Sequence, residues 1–163
     1  MVKPRTARPA PATPSSRASR ALYPRARVAS QLTKVRALCH ALPDVTERPS
    51  HGSPTFFVNG KRTFAYFLDN HHGDGRLALW CAAPDGAQAM LVDSNPDHYF
   101  LPPYVARLGW IGVRLDRDVP SNEIAMVLEA AHQTRYRPPR TRKPPAARPS
   151  HTAKHPARAA KRR

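Results

Sequence analysis

The sequence predicts an α+β domain with a mostly antiparallel sheet, flanked by two disordered basic tails. Three observations predict it. Apolar residues recur at helical spacing from Val28 to Leu42 and again from Ile124 to Ala131. Between them, β-prone runs meet at Asn59-Gly60, a dipeptide that closes tight hairpins because both turn residues tolerate positive φ. The charge, finally, is segregated along the chain. Residues 1–27 hold seven basic side chains and no acid, residues 138–163 hold nine and none, and residues 28–137 hold eleven of each sign. The tails therefore carry the whole net charge of +16.

The first element is a helix. Val28, Leu32, Val35, Leu38, Cys39 and Leu42 fall on one face over four turns, with Ser30 as the expected cap and Pro43 as the stop. Cys39 on that face reads as a small buried side chain rather than a nucleophile. Thr55–Val58 and Lys61–Leu68 are the two strands of the Asn-Gly hairpin, and Phe64, Tyr66 and Leu68 alternate with Ala65 and Phe67, as in a strand covered on both faces. Residues 69–75 are polar and read as a solvated loop; Arg76–Cys81 reads as a third strand. Pro84 to Asp93 suits a short helix, Tyr99–Leu101 a short strand between prolines, and Trp110–Leu115 another strand. Ile124, Val127, Leu128 and Ala131 define a closing helix of about 121–136, with Pro120 or Ser121 at its start. The order α-β-β-β-α-β-β-α is that of an α+β domain.

The tails cannot bury enough apolar surface to offset the entropy of ordering. Prolines interrupt both, and Val2, Leu22 and Tyr23 are too few to nucleate a core. Extended, acid-free cationic segments favour polyanions through counterion release, and nucleic acid is the commonest polyanion in a cell. An anionic membrane surface calls for an apolar face as well, which neither tail has. No stretch approaches the roughly 18 apolar residues of a membrane-spanning helix, so membrane insertion is not expected. The N-terminal segment is Arg- and Ser-rich like a transit peptide, but its five prolines oppose the amphipathic helix such a peptide forms. A cytoplasmic compartment is expected, at the nucleoid if the source is bacterial, with Cys39 and Cys81 reduced.

Catalytic patterns are missing from the sequence. It holds no G-x-S-x-G elbow, no phosphate-cradling glycine loop and no zinc-deaminase signature. His51 beside Ser53 is not a triad. The loop Asp69-Asn70-His71-His72-Gly73-Asp74 offers oxygen and imidazole donors, but adjacent histidines lack the i, i+4 spacing of a helix metal site. No metal and no cofactor are expected, and no enzyme activity.

The middle of the chain resembles the MmcQ/YjbR family. The wording that carries the resemblance is Val35-Arg36-Ala37-Leu38-Cys39-His40-Ala41-Leu42-Pro43-Asp44-Val45-Thr46-Glu47. It runs on through His51-Gly52-Ser53-Pro54-Thr55-Phe56-Phe57-Val58-Asn59-Gly60-Lys61-Arg62-Thr63-Phe64-Ala65, Tyr99-Phe100-Leu101-Pro102-Pro103-Tyr104 and Gly109 to Leu115. The closing helix from Ile124 to His132 fits too, so the resemblance covers about 33–137 and neither tail. It implies a fold similar to the frataxin/CyaY type, with helices packed on one face of the sheet, and a DNA-binding role argued by analogy of fold. A frataxin-like iron role would need acids along the first helix, which instead carries Lys34 and Arg36.

The expected function is that of a non-enzymatic DNA-binding protein making largely sequence-independent phosphate contacts, with RNA as the related partner. The candidate contact residues are Lys61 and Arg62 beside the hairpin turn, and Arg140, Arg142, Lys143, Lys161, Arg162 and Arg163 in the C-terminal tail. Arg76, Arg107, Arg114 and Arg117 are weaker candidates. The strand aromatics are read mainly as core, although exposed ones would stack on unpaired bases. The alternative is a protein–protein or small-ligand module with incidental basic tails.

Overall fold

The computed structural model describes residues 22–138. Helix α1 (Arg25–His40) begins three residues before the predicted Val28. Pro24, at φ −54°, stands just ahead of it, where a fixed φ favours helix entry and the missing N–H costs nothing. Ser30, the expected cap, lies inside the helix. Residues 23–27, expected as tail, belong to the domain. The Tyr23 hydroxyl lies 2.8 Å from Gly75 O and 3.0 Å from Asp116 Oδ2, and Arg27 Nη2 donates to Asp116 O at 2.9 Å. A phenol with two acceptors anchors this segment where apolar residues are too few to do so.

Strand β1 (Val45–Ser50) is absent from the sequence reading. Glu47, Arg48 and Pro49 mask it, yet it is an edge strand, where a proline is tolerated. It turns at His51-Gly52 (φ 50° and 75°) into β2 (Ser53–Val58), and β2 turns at Asn59-Gly60 (φ 51° and 66°) into β3 (Arg62–Asp69). Each turn puts two residues in the left-handed region; the first joins paired Ser50 and Ser53 directly, and the second adds Lys61 before Arg62 pairs with Val58. Strand β4 (Leu77–Ala82), helix α2 (Ala87–Ser94), β5 (Tyr99–Phe100), β6 (Trp110–Arg114) and helix α3 (Ser121–Arg135) follow. The predicted closing helix and the predicted short strand are thus in place. The six strands form one sheet in the order β1-β2-β3-β4-β6-β5, with antiparallel pairing throughout.

Because side chains alternate along a strand, the register sorts the sheet into two faces. Phe67 pairs with Leu79, Cys81 with Ile111 and Leu79 with Val113; all are buried. This face meets the helices, with α3 crossing β3 and β4. A bulge aligns it: pairing jumps from Phe56–Ala65 to Phe57–Thr63, leaving Phe64 as the extra residue. Phe64 meets the His132 ring of α3 edge-on at 5.6 Å, and Phe56 meets His40 of α1 at 6.1 Å. His132 is itself buried, with Nε2 2.8 Å from Pro43 O. Cys39 and Cys81 are fully buried free thiols, and burial pushes both well above the usual thiol range. No helix among the described residues is long and apolar enough to cross a membrane.

Candidate nucleic-acid interface

Lys61 and Arg62 stand exposed at the β2–β3 connection, where Lys61 closes the Asn59-Gly60 turn on Val58 O and Arg62 opens β3 opposite Val58. The end of α3 reaches the same corner. The Arg137 amide donates to Asn59 Oδ1 at 3.2 Å, so the chain leaves the domain beside the turn. Arg135 lies 5.6 Å from the Trp110 ring centroid. Neither Lys61 nor Arg62 forms an ion pair among the described residues, and exposed Asp44, whose carbonyl accepts from the Asn59 amide, is the acid of this corner. Arg140, Arg142, Lys143, Lys161, Arg162 and Arg163 lie outside the described residues.

The weaker candidates divide. Arg107 and Arg117 are exposed. Arg114 is committed to Asp116, with Nε–Oδ1 at 3.1 Å and Nη2–Oδ2 at 2.5 Å. Burial alone would raise the Asp116 carboxyl, but the bonds from Arg114 and Tyr23 outweigh it and hold the group below its ordinary value. Arg76 lies 3.7 Å from Asp74 and stacks over Phe100 at 4.4 Å.

The second face of the sheet was not foreseen as a unit. One cross-strand row spans all six strands: Arg48, Thr55, Tyr66, Trp80, Gly112 and Phe100. Gly112 leaves room for the Phe100 ring, since a Cβ there would sit 2.3 Å from Phe100 Cζ. Arg76 covers Phe100, and at the other end Arg48 lies 3.8 Å from the Phe57 centroid. Tyr66 and Trp110 are in ring contact at 5.4 Å.

Over the centre of this row lies a cavity of about 300 Å³, lined by residues of the β1–β2 turn, of β3 and β4, and of the loops around His71 and Tyr104. The loop expected to be solvated instead folds back, with His71 edge-on to Trp80 at 5.0 Å. Burial, with His72 beside it, lowers the His71 imidazole from its ordinary value. A larger apolar groove of about 520 Å³ lies between α2 and α3 over Tyr99 and Ile111, with Met90 and Met126 at its exposed rim. Tyr99 donates a short hydrogen bond to Glu123 there, and burial followed by that carboxylate raises the phenol's pKa. No group of three or more His, Cys, Asp or Glu among the described residues is placed to hold a metal ion.

The model of the family described as YjbR matches residues 40–134. Among solved structures, the chain is similar to a Deinococcus radiodurans protein with the domain DUF419, at 18% identity and a TM-score of 0.53, covering 63% of this chain and 76% of that one. At that identity the likeness is one of fold. No curated protein matches the sequence.

Proposed function

The chain belongs to the YjbR family, and we propose that it is a non-enzymatic DNA-binding protein that grips phosphates largely without regard to sequence. RNA is the related partner; the reading calls for no cofactor and places the protein in the cytoplasm. One observation carries it. The exposed pair Lys61–Arg62 and the departing Arg137 share a corner, and Arg140, Arg142 and Lys143 follow within six residues of Arg137. The domain thus begins a cationic track that the sequence continues, and residues 28–137 taken alone are balanced in charge. Phosphate contacts of this kind supply affinity and carry no base information.

The test is a titration of the full chain against duplex DNA and RNA over a salt series. Affinity should fall steeply as salt rises, and Lys61→Gln with Arg62→Gln should flatten the log–log slope by about 0.9 per lost contact. An intact protein that ignores nucleic acid at low ionic strength overturns the reading. The groove between α2 and α3, with Met90 64% and Met126 68% exposed, favours the protein–protein or small-ligand alternative. That alternative expects a partner whose binding hardly responds to salt.

A further inference from the structure

We propose that the cavity on the aromatic face receives one unpaired nucleobase of a bound strand, a specific role that rests on the nucleic-acid reading above. Its volume of about 300 Å³ sits at the small end of ligand sites and suits a planar heterocycle. The walls are largely flat rings. Tyr66 and Trp80 are cross-strand neighbours, His71 meets Trp80 edge-on at 5.0 Å, and His72 faces Tyr104 at 6.3 Å. Base–ring stacking is the common currency of single-strand recognition.

The polar groups also fit a base. Trp80 is 5% exposed, and its indole N–H finds no acceptor among the described residues. A buried donor without a partner is costly, and a base carbonyl or ring nitrogen would supply the acceptor. No Lys, Arg, Asp or Glu lines the cavity. A phosphate would find no lysine or arginine inside; the titratable side chains of the lining are phenols and the imidazoles of His51, His71 and His72, and burial lowers His71 from its ordinary value. The arginines instead lie at the ends of the same row, Arg48 on Phe57 and Arg76 on Phe100, where flanking phosphates would pass. The groove between α2 and α3 has no comparable ring of planar walls.

Backbone strain converges on the same place. Six non-glycine residues among those described have positive φ, and three of them, His51 (50°), His72 (53°) and Tyr104 (68°), line this cavity. The torsion of His51 is the one its two-residue turn requires, whereas His72 and Tyr104 lie outside the hairpin turns in a conformation that L-residues adopt reluctantly. Tyr104 is moreover 71% exposed, a large ring kept at the cavity mouth instead of packed.

The experiment follows the Trp80 indole N–H signal by NMR in the full chain, distinguished from that of Trp110 by a Trp110→Phe variant. Uncharged nucleosides, a single-stranded oligonucleotide, its duplex and a fully abasic strand of equal length are the probes. The nucleosides and the single strand should shift the signal, and the duplex and abasic strand should not. Tyr104→Gly should weaken single-strand binding about tenfold and leave duplex binding unchanged. The proposal is overturned if the abasic strand binds as tightly as the intact one with Trp80 undisturbed; phosphate binding then stands without a base pocket. It is overturned also if nucleosides move the signal and no strand does. Failure of every nucleic acid to bind at low salt removes the nucleic-acid reading itself.

Discussion

On the face that meets the helices, the sheet presents Phe56, Phe67, Leu79, Ile111 and Val113, all buried. On the other it presents Tyr66, Trp80 and Phe100, with Arg48 and Arg76 lying on rings and two histidines folded over the centre. The same six strands supply both, so the contrast lies in side-chain parity alone. The helix side is packed with aliphatic and phenyl groups beneath α1 and α3 and opens at the groove between α2 and α3, and its buried imidazole lies 2.8 Å from Pro43 O. The other side keeps a cavity, an unsatisfied indole N–H and strained turns. The helix side is built mainly for stability; the planar rings and flanking cations of the other suit it to recognition.

The contrast breaks most visibly under a core deletion. Leu79→Ala should cost about 2–5 kcal/mol in denaturant unfolding, while the folded variant keeps its affinity for nucleic acid. Alkaline pH probes the helix side next. Burial raises the thiols of Cys39 and Cys81, and burial with Glu123 raises the Tyr99 phenol. The folded chain holds these protons more tightly than the unfolded one. Stability should therefore be intact below the ordinary thiol value and decline as pH rises past about 8.5. Unfolding midpoints measured across that range should fall, and Cys81→Ala should flatten the decline.

Smaller effects sharpen the distinction. Tyr104→Gly should stabilise the protein by about 0.5–1 kcal/mol, because glycine accepts φ 68° without penalty. The same change should weaken single-strand binding, so stability and affinity should move in opposite directions. Thermal melting and binding measured on one preparation check this. The smallest effect is expected at Glu47, which links β1 to α1 through Arg36, with Nε–Oε2 at 2.9 Å and Nη2–Oε1 at 2.7 Å. The Arg36 hydrogen bonds hold its carboxyl below the usual range. Its contribution is present above the ordinary carboxylate value and is lost as pH falls through the lowered one. Glu47→Gln should cost less than about 1 kcal/mol at neutral pH, since Arg36 is exposed, and should blunt the acid limb of the stability profile.

Local chemistry made much of the fold legible. Asn59-Gly60 demanded its hairpin, and the spacing of Ile124, Val127, Leu128 and Ala131 demanded α3. β1 escaped because Pro49 and two charges outweigh any pattern in six residues, and an edge strand needs little pattern. The His51-Gly52 turn escaped with it, since a turn is recognised by the strands on either side. At the candidate interface, Lys61 and Arg62 were legible as residues flanking a turn. The aromatic row was not, because it exists only through register. Arg48 and Phe100 are 52 positions apart and meet only through four intervening strands. No sequence window holds that adjacency, and the bulge at Phe64 shifts the parity on which a strand-by-strand reading relies.

Gly112 carries a last consequence. Its φ is ordinary, so no torsion requires glycine there; the requirement is the space that Phe100 fills. Ring and vacancy form a lock and key within one chain. Related chains that lose the glycine should lose the phenyl ring as well, and with it the perch on which Arg76 rests. Positions 100 and 112 should therefore drift together through evolution, a paired signature by which relatives with the aromatic row can be told from those that kept only the scaffold.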